Sequence, residues 1–278
     1  MRLRNGTVFN GQTALLLLLR RIRYPGRIQD LQQQFGRYYT QLSRLFNETV
    51  DFVWTRHKRR MEDFRSFHAR RFELYRRKII EKGCEEADII GFIDGTIRAM
   101  CQPGGDEDLQ RECFDGHHRV HGLAWQSVVF TDGLIGDVHM ETGRHHDAYL
   151  LVQSNLNDRF ADVQAGSAVQ CKVYGDAAYP IMSHVDRGFR GANLTAAQKA
   201  YNRNLSQVRI CVEWMFGKVA QEFSYIDHSK NLKLRLQPVG TYYGVALLLT
   251  NAHSCLYGNI TAFSLRRESS SPRGVFRG

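Results

Sequence analysis

None of the six cysteines (Cys84, Cys101, Cys113, Cys171, Cys211 and Cys255) stands in a C-x-x-C pair. Structural zinc sites use that spacing, so none is indicated here. Scattered thiols of this kind suit free cysteines in a reducing compartment. The sequence also lacks the run of about 18 apolar residues that a membrane span needs. Its longest apolar run, 14–19, is closed at once by Arg20 and Arg21. Those arginines occupy the place where a signal peptide would need small residues, so neither insertion nor secretion is expected. No internal repeat is present. Acidic residues are the minority, 28 against 38 Lys and Arg, which leaves a formal net charge of +10. Such a surplus directs attention to polyanions, either nucleic acid or an anionic surface, and charge by itself does not separate them.

What is present is enough for one large domain or two smaller ones: 278 residues, 43% of them apolar. Residues 10–53 read as helices. Asn10 is placed to cap the first, and Ala14, Leu15, Leu18 and Leu19 follow at helical spacing. Pro25-Gly26 breaks the chain, a short helix is expected over 27–35, Gly36 supplies a turn, and a third helix carries Leu42, Leu45, Phe46 and Val50. Helix, short helix, tight turn and helix is the helix-turn-helix pattern. Arg37 and Arg44 would then face DNA from the start of the reading helix; a plain helical bundle is the equal alternative. A basic run follows over 54–87, interleaved with Phe64, Phe67, Phe72, Leu74 and Tyr75. It reads as an amphipathic linker suited to phosphate contact or nuclear import.

From residue 88 the period changes. Ile89, Ile90, Phe92 and Ile93 make a short buried strand ended by Asp94-Gly95. Strands over 123–131 and 134–140 flank Asp132-Gly133, a hairpin signal. A helix is expected over 148–160, a strand over 169–174 ended by Gly175-Asp176, a helix over 195–223 broken near 202–204, and an apolar helix over 240–255. This order suits an α/β layer with a mixed sheet, and the tail from Arg266 is polar enough to be disordered.

Two strand ends carry the strongest chemical signal. If the strands lie side by side, Asp94 and Asp176 meet in the crevice outside the sheet. Paired carboxylates repel unless a proton or cation intervenes, and hard divalent ions take oxygen ligands. Glu213 lies on a helix among Ile210, Val212, Trp214, Met215 and Phe216, with Arg209 one turn earlier. It reads either as an ion pair with Arg209 or as a further metal ligand. Asp147 reads either as a helix N-cap or as a ligand.

Five motifs in order give these readings a common frame: Ile93-Asp94-Gly95-Thr96; Gln110-Arg111 through Phe114-Asp115-Gly116-His117-His118-Arg119-Val120-His121-Gly122-Leu123; Gly143-Arg144-His145-His146-Asp147; Gly175-Asp176-Ala177-Ala178-Tyr179-Pro180; and Asn202-Arg203 through Arg209 to Glu213-Trp214-Met215-Phe216-Gly217-Lys218. In order and interval they resemble the endonuclease domain of the PIF/Harbinger transposase superfamily. The family pattern often has His after Asp-Gly-Thr, where Ile97 and Arg98 stand here.

The resemblance implies a ribonuclease-H-like α/β domain with a mixed sheet flanked by helices, over 88–262. A helix-turn-helix region (1–55) and a basic linker (56–87) would precede it, and a disordered tail (263–278) would follow. It implies a D-D-E triad of Asp94, Asp176 and Glu213, with Asp147 as a further metal ligand and two Mg²⁺ or Mn²⁺ ions. Arg98, Arg111, Arg119 and Lys218 become candidate DNA contacts, and His117, His118 and His121 are either phosphate contacts or surface hairpin residues. The implied partners are DNA, further copies of the chain and a separate Myb-like protein, and the implied compartment is the nucleus, with the cytoplasm second. The alternative is a domesticated, non-cutting DNA-binding protein. Met1 lies so close to the first helix that a short or truncated N-terminus is expected.

Overall fold

The computed structural model describes residues 1–62, 69–84, 88–165 and 170–258. The tail from Arg266, Val169 at the start of an expected strand, and Phe64, Arg65 and Phe67 of the basic run lie outside the described residues.

The first helix, α1 (Gly11–Arg23), starts where Asn10 caps it: the Asn10 side chain accepts from the Gln12 amide. Two short turns follow, a 3₁₀ turn (Ile28–Leu31) and α2 (Gln32–Phe35). Gly36 closes α2 in the left-handed region at φ 60°, which only glycine adopts freely. The third helix, α3 (Tyr39–His57), buries Leu42, Leu45, Phe46 and Val50, the stripe read from the sequence. Part of the basic run forms α4 (Ala69–Ile80), which buries Phe72 and Tyr75 against the sheet.

The sheet is mixed. Its strands are β1 (Ile89–Ala99), β2 (Phe114–Asp115), β3 (Val120–Phe130), β4 (Ile135–Thr142), β5 (Lys172–Gly175) and β6 (Val185–Arg187). Their order is β2-β3-β1-β5-β6, with β4 also on β3. β1 runs antiparallel to β3 and parallel to β5. The helices are α5 (Glu107–Cys113), α6 (Asp147–Gln153), α7 (Leu156–Gln164), α8 (Ala196–Glu222) and α9 (Val239–Tyr257).

Two apolar clusters cover the two faces. One joins α1 and α3 to α8, α9 and one side of β1, β3 and β4. The other joins α4, α6 and α7 to the opposite side of β1, β3 and β5. The N-terminal helices therefore share a core with the sheet.

Three expectations need correction. Asp94 does not end its strand, because β1 continues to Ala99 along β3. What ends there is the parallel partner: β1 pairs with β5 only through Phe92, so Asp94 lies just past the place where β1 loses that neighbour. The helix expected over 148–160 is two helices, divided at Ser154 and Asn155, where Asn155 takes a left-handed φ of 50°. The break expected near 202–204 is absent from α8. The two asparagines there spend their side chains on tertiary bonds, Asn202 with Phe189 and Asn204 with the Gly83 carbonyl. They therefore do not compete with the helix for its own backbone groups.

Candidate active site

Four elements bring the acidic residues to one end of the sheet. Asp94 sits in β1, Asp147 is the first residue of α6, Asp176 follows β5, and Glu213 lies in α8. Asp94 is largely buried; burial, aided by Asp147 and Asp176 and opposed by Arg209 and the Gly95 amide, pushes its carboxyl up to about 6. Asp147 is raised for the same reasons, first burial and then Asp176, with His146 opposing. The three aspartates thus share one electrostatic neighbourhood, whose members repel as anions.

The local backbone explains the approach. A Cβ on Gly95 would lie 2.1 Å from Oδ1 of Asp147, so the missing side chain is the space that Asp147 fills. Asp147 does not cap α6: His146 holds the cap position and makes no side-chain cap bond. Asp176 Oδ1 accepts the Ala178 amide at 2.7 Å, which fixes the turn after β5. Beside this turn the ring of Tyr179 packs under Gly175 and is fully buried. The Tyr179 hydroxyl has no hydrogen-bond partner among the described residues. Burial, followed by Asp147, Asp94 and Asp176, raises its pKa well above the ordinary value. Its motif gave this tyrosine no role in the sequence; only its burial beside the aspartates marks it.

Arg209 joins the fourth acid to the rest. Its Nη1 donates to Asp94 Oδ2 at 2.9 Å and its Nη2 to Glu213 Oε1 at 3.3 Å. The Arg209–Glu213 pair read from the sequence is therefore present, but it extends to β1. Glu213 is not buried as its apolar neighbours suggested; its side chain is 55% exposed, and Ile210 and Trp214 beside it are exposed as well.

The donor set suits a hard divalent cation: carboxylates from separate elements, with an orphaned tyrosine hydroxyl beneath them. The convergence expected of four ligands is a different matter. Among the described residues no three His, Cys, Asp or Glu side chains stand together closely enough to hold a metal ion. A guanidinium occupies one oxygen of Asp94 and one of Glu213 instead.

The expected DNA contacts are dispersed. Arg119 is exposed in the β2–β3 turn at φ 57°. Arg37 and Arg44 are exposed around the start of α3. Arg111 pairs with Glu107 and Asp108 on its own helix. Arg98 is turned inward, bonded to Asp227 at 2.9 Å and stacked over the Tyr243 ring. Lys218 bonds Ser254 at 3.3 Å and lies 3.8 Å from Glu222. All six cysteines are free, and no helix among the described residues is long and apolar enough to cross a membrane.

A family model described as DDE superfamily endonuclease matches residues 93–251. No curated protein and no solved structure gives a match. The matched segment begins one residue before Asp94, takes in Asp147, Asp176 and Glu213, ends within α9, and covers more than half of the chain. The chain therefore belongs to the DDE superfamily endonucleases.

Proposed function

We propose that the protein is a divalent-metal-dependent transposase-type nuclease that hydrolyses DNA phosphodiester bonds and joins the freed 3′ ends to new phosphates. The observation that carries this reading is the mutual repulsion of Asp94, Asp147 and Asp176 at one end of the sheet. Buried carboxylates set beside like charges favour whatever neutralises them, a proton or a cation. Asp94, Asp176 and Glu213 are the proposed catalytic triad, and with Asp147 they would hold two Mg²⁺ or Mn²⁺ ions. Such ions, when bound, supply Lewis-acid activation of the attacking and departing oxygens. Arg209 would have to exchange its carboxylate partners for DNA phosphate as the ions enter.

The ribonuclease-H-like topology, the PIF/Harbinger assignment and a DNA-reading role for α3 belong to the same proposal. So do nuclear residence, assembly into oligomers and help from a Myb-like protein. The order of the five motifs and the +10 charge support them. The test is nicking of supercoiled plasmid by the full chain. We expect nicking that requires Mg²⁺ or Mn²⁺, stops in EDTA, and falls roughly 10³-fold or more in Asp94→Ala and Asp176→Ala. One observation favours a second reading, a domesticated DNA-binding protein without cleavage: Arg209 already neutralises Asp94 and Glu213. Tight DNA binding with no nicking at any metal concentration would establish that reading instead.

A further inference from the structure

Asp115 and His118 stand outside the acidic set, yet His118 opens on a cavity that Asp147 also lines. They belong to the hairpin between β2 and β3, where Asp115 pairs with Val120 and residues 116–119 form the turn. The Asp115 side chain is 11% exposed and that of His118 is 59% exposed. Oδ1 of Asp115 accepts the His117 amide at 2.8 Å, and Oδ2 is hydrogen-bonded to Nδ1 of the His118 ring. Burial pushes the Asp115 carboxyl up, but the bonds from the His118 ring and from the His117 and His118 amides outweigh it, so the carboxyl lies below the ordinary range. An ionised carboxylate has no proton to give, so Nδ1 carries the hydrogen, and in the neutral ring the lone pair is on Nε2.

The His118 ring lines a cavity of about 440 Å³ together with Gly95, Thr96 and Asp147. A turn cap accounts for the bond to His117. It does not account for the second oxygen gripping a solvent-facing ring on the wall of that cavity. A buried acid orienting an imidazole whose other nitrogen is left for a ligand is an arrangement suited to proton transfer.

We propose that His118 is a general base of this site, positioned by Asp115, and the proposal rests on the endonuclease reading above. In hydrolysis, Nε2 takes a proton from water as the water oxygen forms its bond to phosphorus. The bond from phosphorus to the 3′ oxygen breaks, and that oxygen takes a proton from solvent. His118 then releases its own proton to solvent. In joining, the same nitrogen takes the proton of the attacking 3′-hydroxyl as that oxygen bonds to phosphorus of the target strand; the target's bond from phosphorus to its 3′ oxygen breaks, and that oxygen takes a proton from solvent. Asp115 from β2 and His117 from the turn are in contact with the His118 ring, and His145 and Asp147, from the segment that starts α6, line the same cavity.

The test compares the full wild-type chain with His118→Ala and Asp115→Asn. Plasmid nicking is followed with and without added imidazole, and affinity is measured for a fluorescent DNA duplex. His118 is exposed, so its loss leaves the fold intact, and Asn at 115 still accepts from the His117 amide. We expect His118→Ala to nick about 100-fold more slowly with unchanged DNA affinity and to regain activity in imidazole. Asp115→Asn is expected to lose roughly 10-fold without imidazole rescue, since its own imidazole is still present. If wild type nicks and His118→Ala nicks as fast, the base is disproved and the nuclease stands. If the variant loses DNA affinity in step with nicking and imidazole restores nothing, His118 is a phosphate contact and the base is again disproved. If wild type nicks under no metal condition, both readings fall together.

Discussion

Asp94 holds the sharpest physical tension at the scale of single residues. Its carboxyl titrates near 6 in the folded chain, above the ordinary 3.8. A raised carboxyl is a source of stability only while it holds its proton. That contribution is complete below about pH 4, the unfolded value, and is lost as pH rises through about 6. Above that range the buried anion is a cost, partly offset by Arg209. Asp94→Asn should therefore stabilise the metal-free protein at pH 7 by on the order of 1 to 3 kcal/mol, with the gain vanishing below about pH 4. Thermal melts of both proteins across pH check this; a gain that persists at pH 3.5 would mean that desolvation of Asp94 is not its cause. Arg209 itself was legible as a partner of Glu213, four residues away on one helix face. Its bond to Asp94 was not, because nothing in local spacing says which strand α8 crosses.

At the scale of elements, the approach of α6 to β1 depends on one absent side chain. Because a Cβ at Gly95 would meet Asp147 Oδ1 at 2.1 Å and Cγ at 2.9 Å, Gly95→Ala must displace the Asp147 carboxylate from its place against the strand. Overpacking of this kind costs about 1–3 kcal/mol. We expect a loss of that size in urea unfolding, accompanied by at least about a 10-fold fall in nicking. Full activity in the alanine variant would show that Asp147 need not stand against β1. The helices were read well where their signals are local: Asn10 as a cap, Gly36 as a turn, and the α3 stripe. They were read poorly where tertiary bonds decide, as at Asn202 and Asn204, whose side chains are occupied elsewhere. The helix α5 went unread although Asp106 caps it and Glu107 and Asp108 fill its first turn; the signal was present in a segment too short to show apolar periodicity.

The whole molecule is a basic chain whose N-terminal helices and sheet share a core, while its acids gather at one end of the sheet. An overall charge of +10, the acidic site included, is consistent with an extended polyanion held by the surrounding surface and cut at the site. Binding to duplex DNA should then weaken on the order of 10²-fold between 50 and 200 mM salt, as release of counterions from about four phosphates requires. Fluorescence anisotropy at a series of salt concentrations measures the slope, and a flat response would remove DNA as the partner.

The sequence by itself determined which residues carry charge and in what order. Local turn chemistry singled out Asp94 and Asp176, while Asp147 and Glu213 stayed open between a structural and a ligand reading until the resemblance joined the four. The family match spans all four. Only the tertiary structure decided how these acids meet. The early end of β5 leaves Asp94 without a parallel neighbour, Gly95 makes room for Asp147, and Arg209 reaches across from α8 to bridge Asp94 and Glu213. Distances between segments far apart in the chain follow from how the layers pack, and no window along the sequence contains that information.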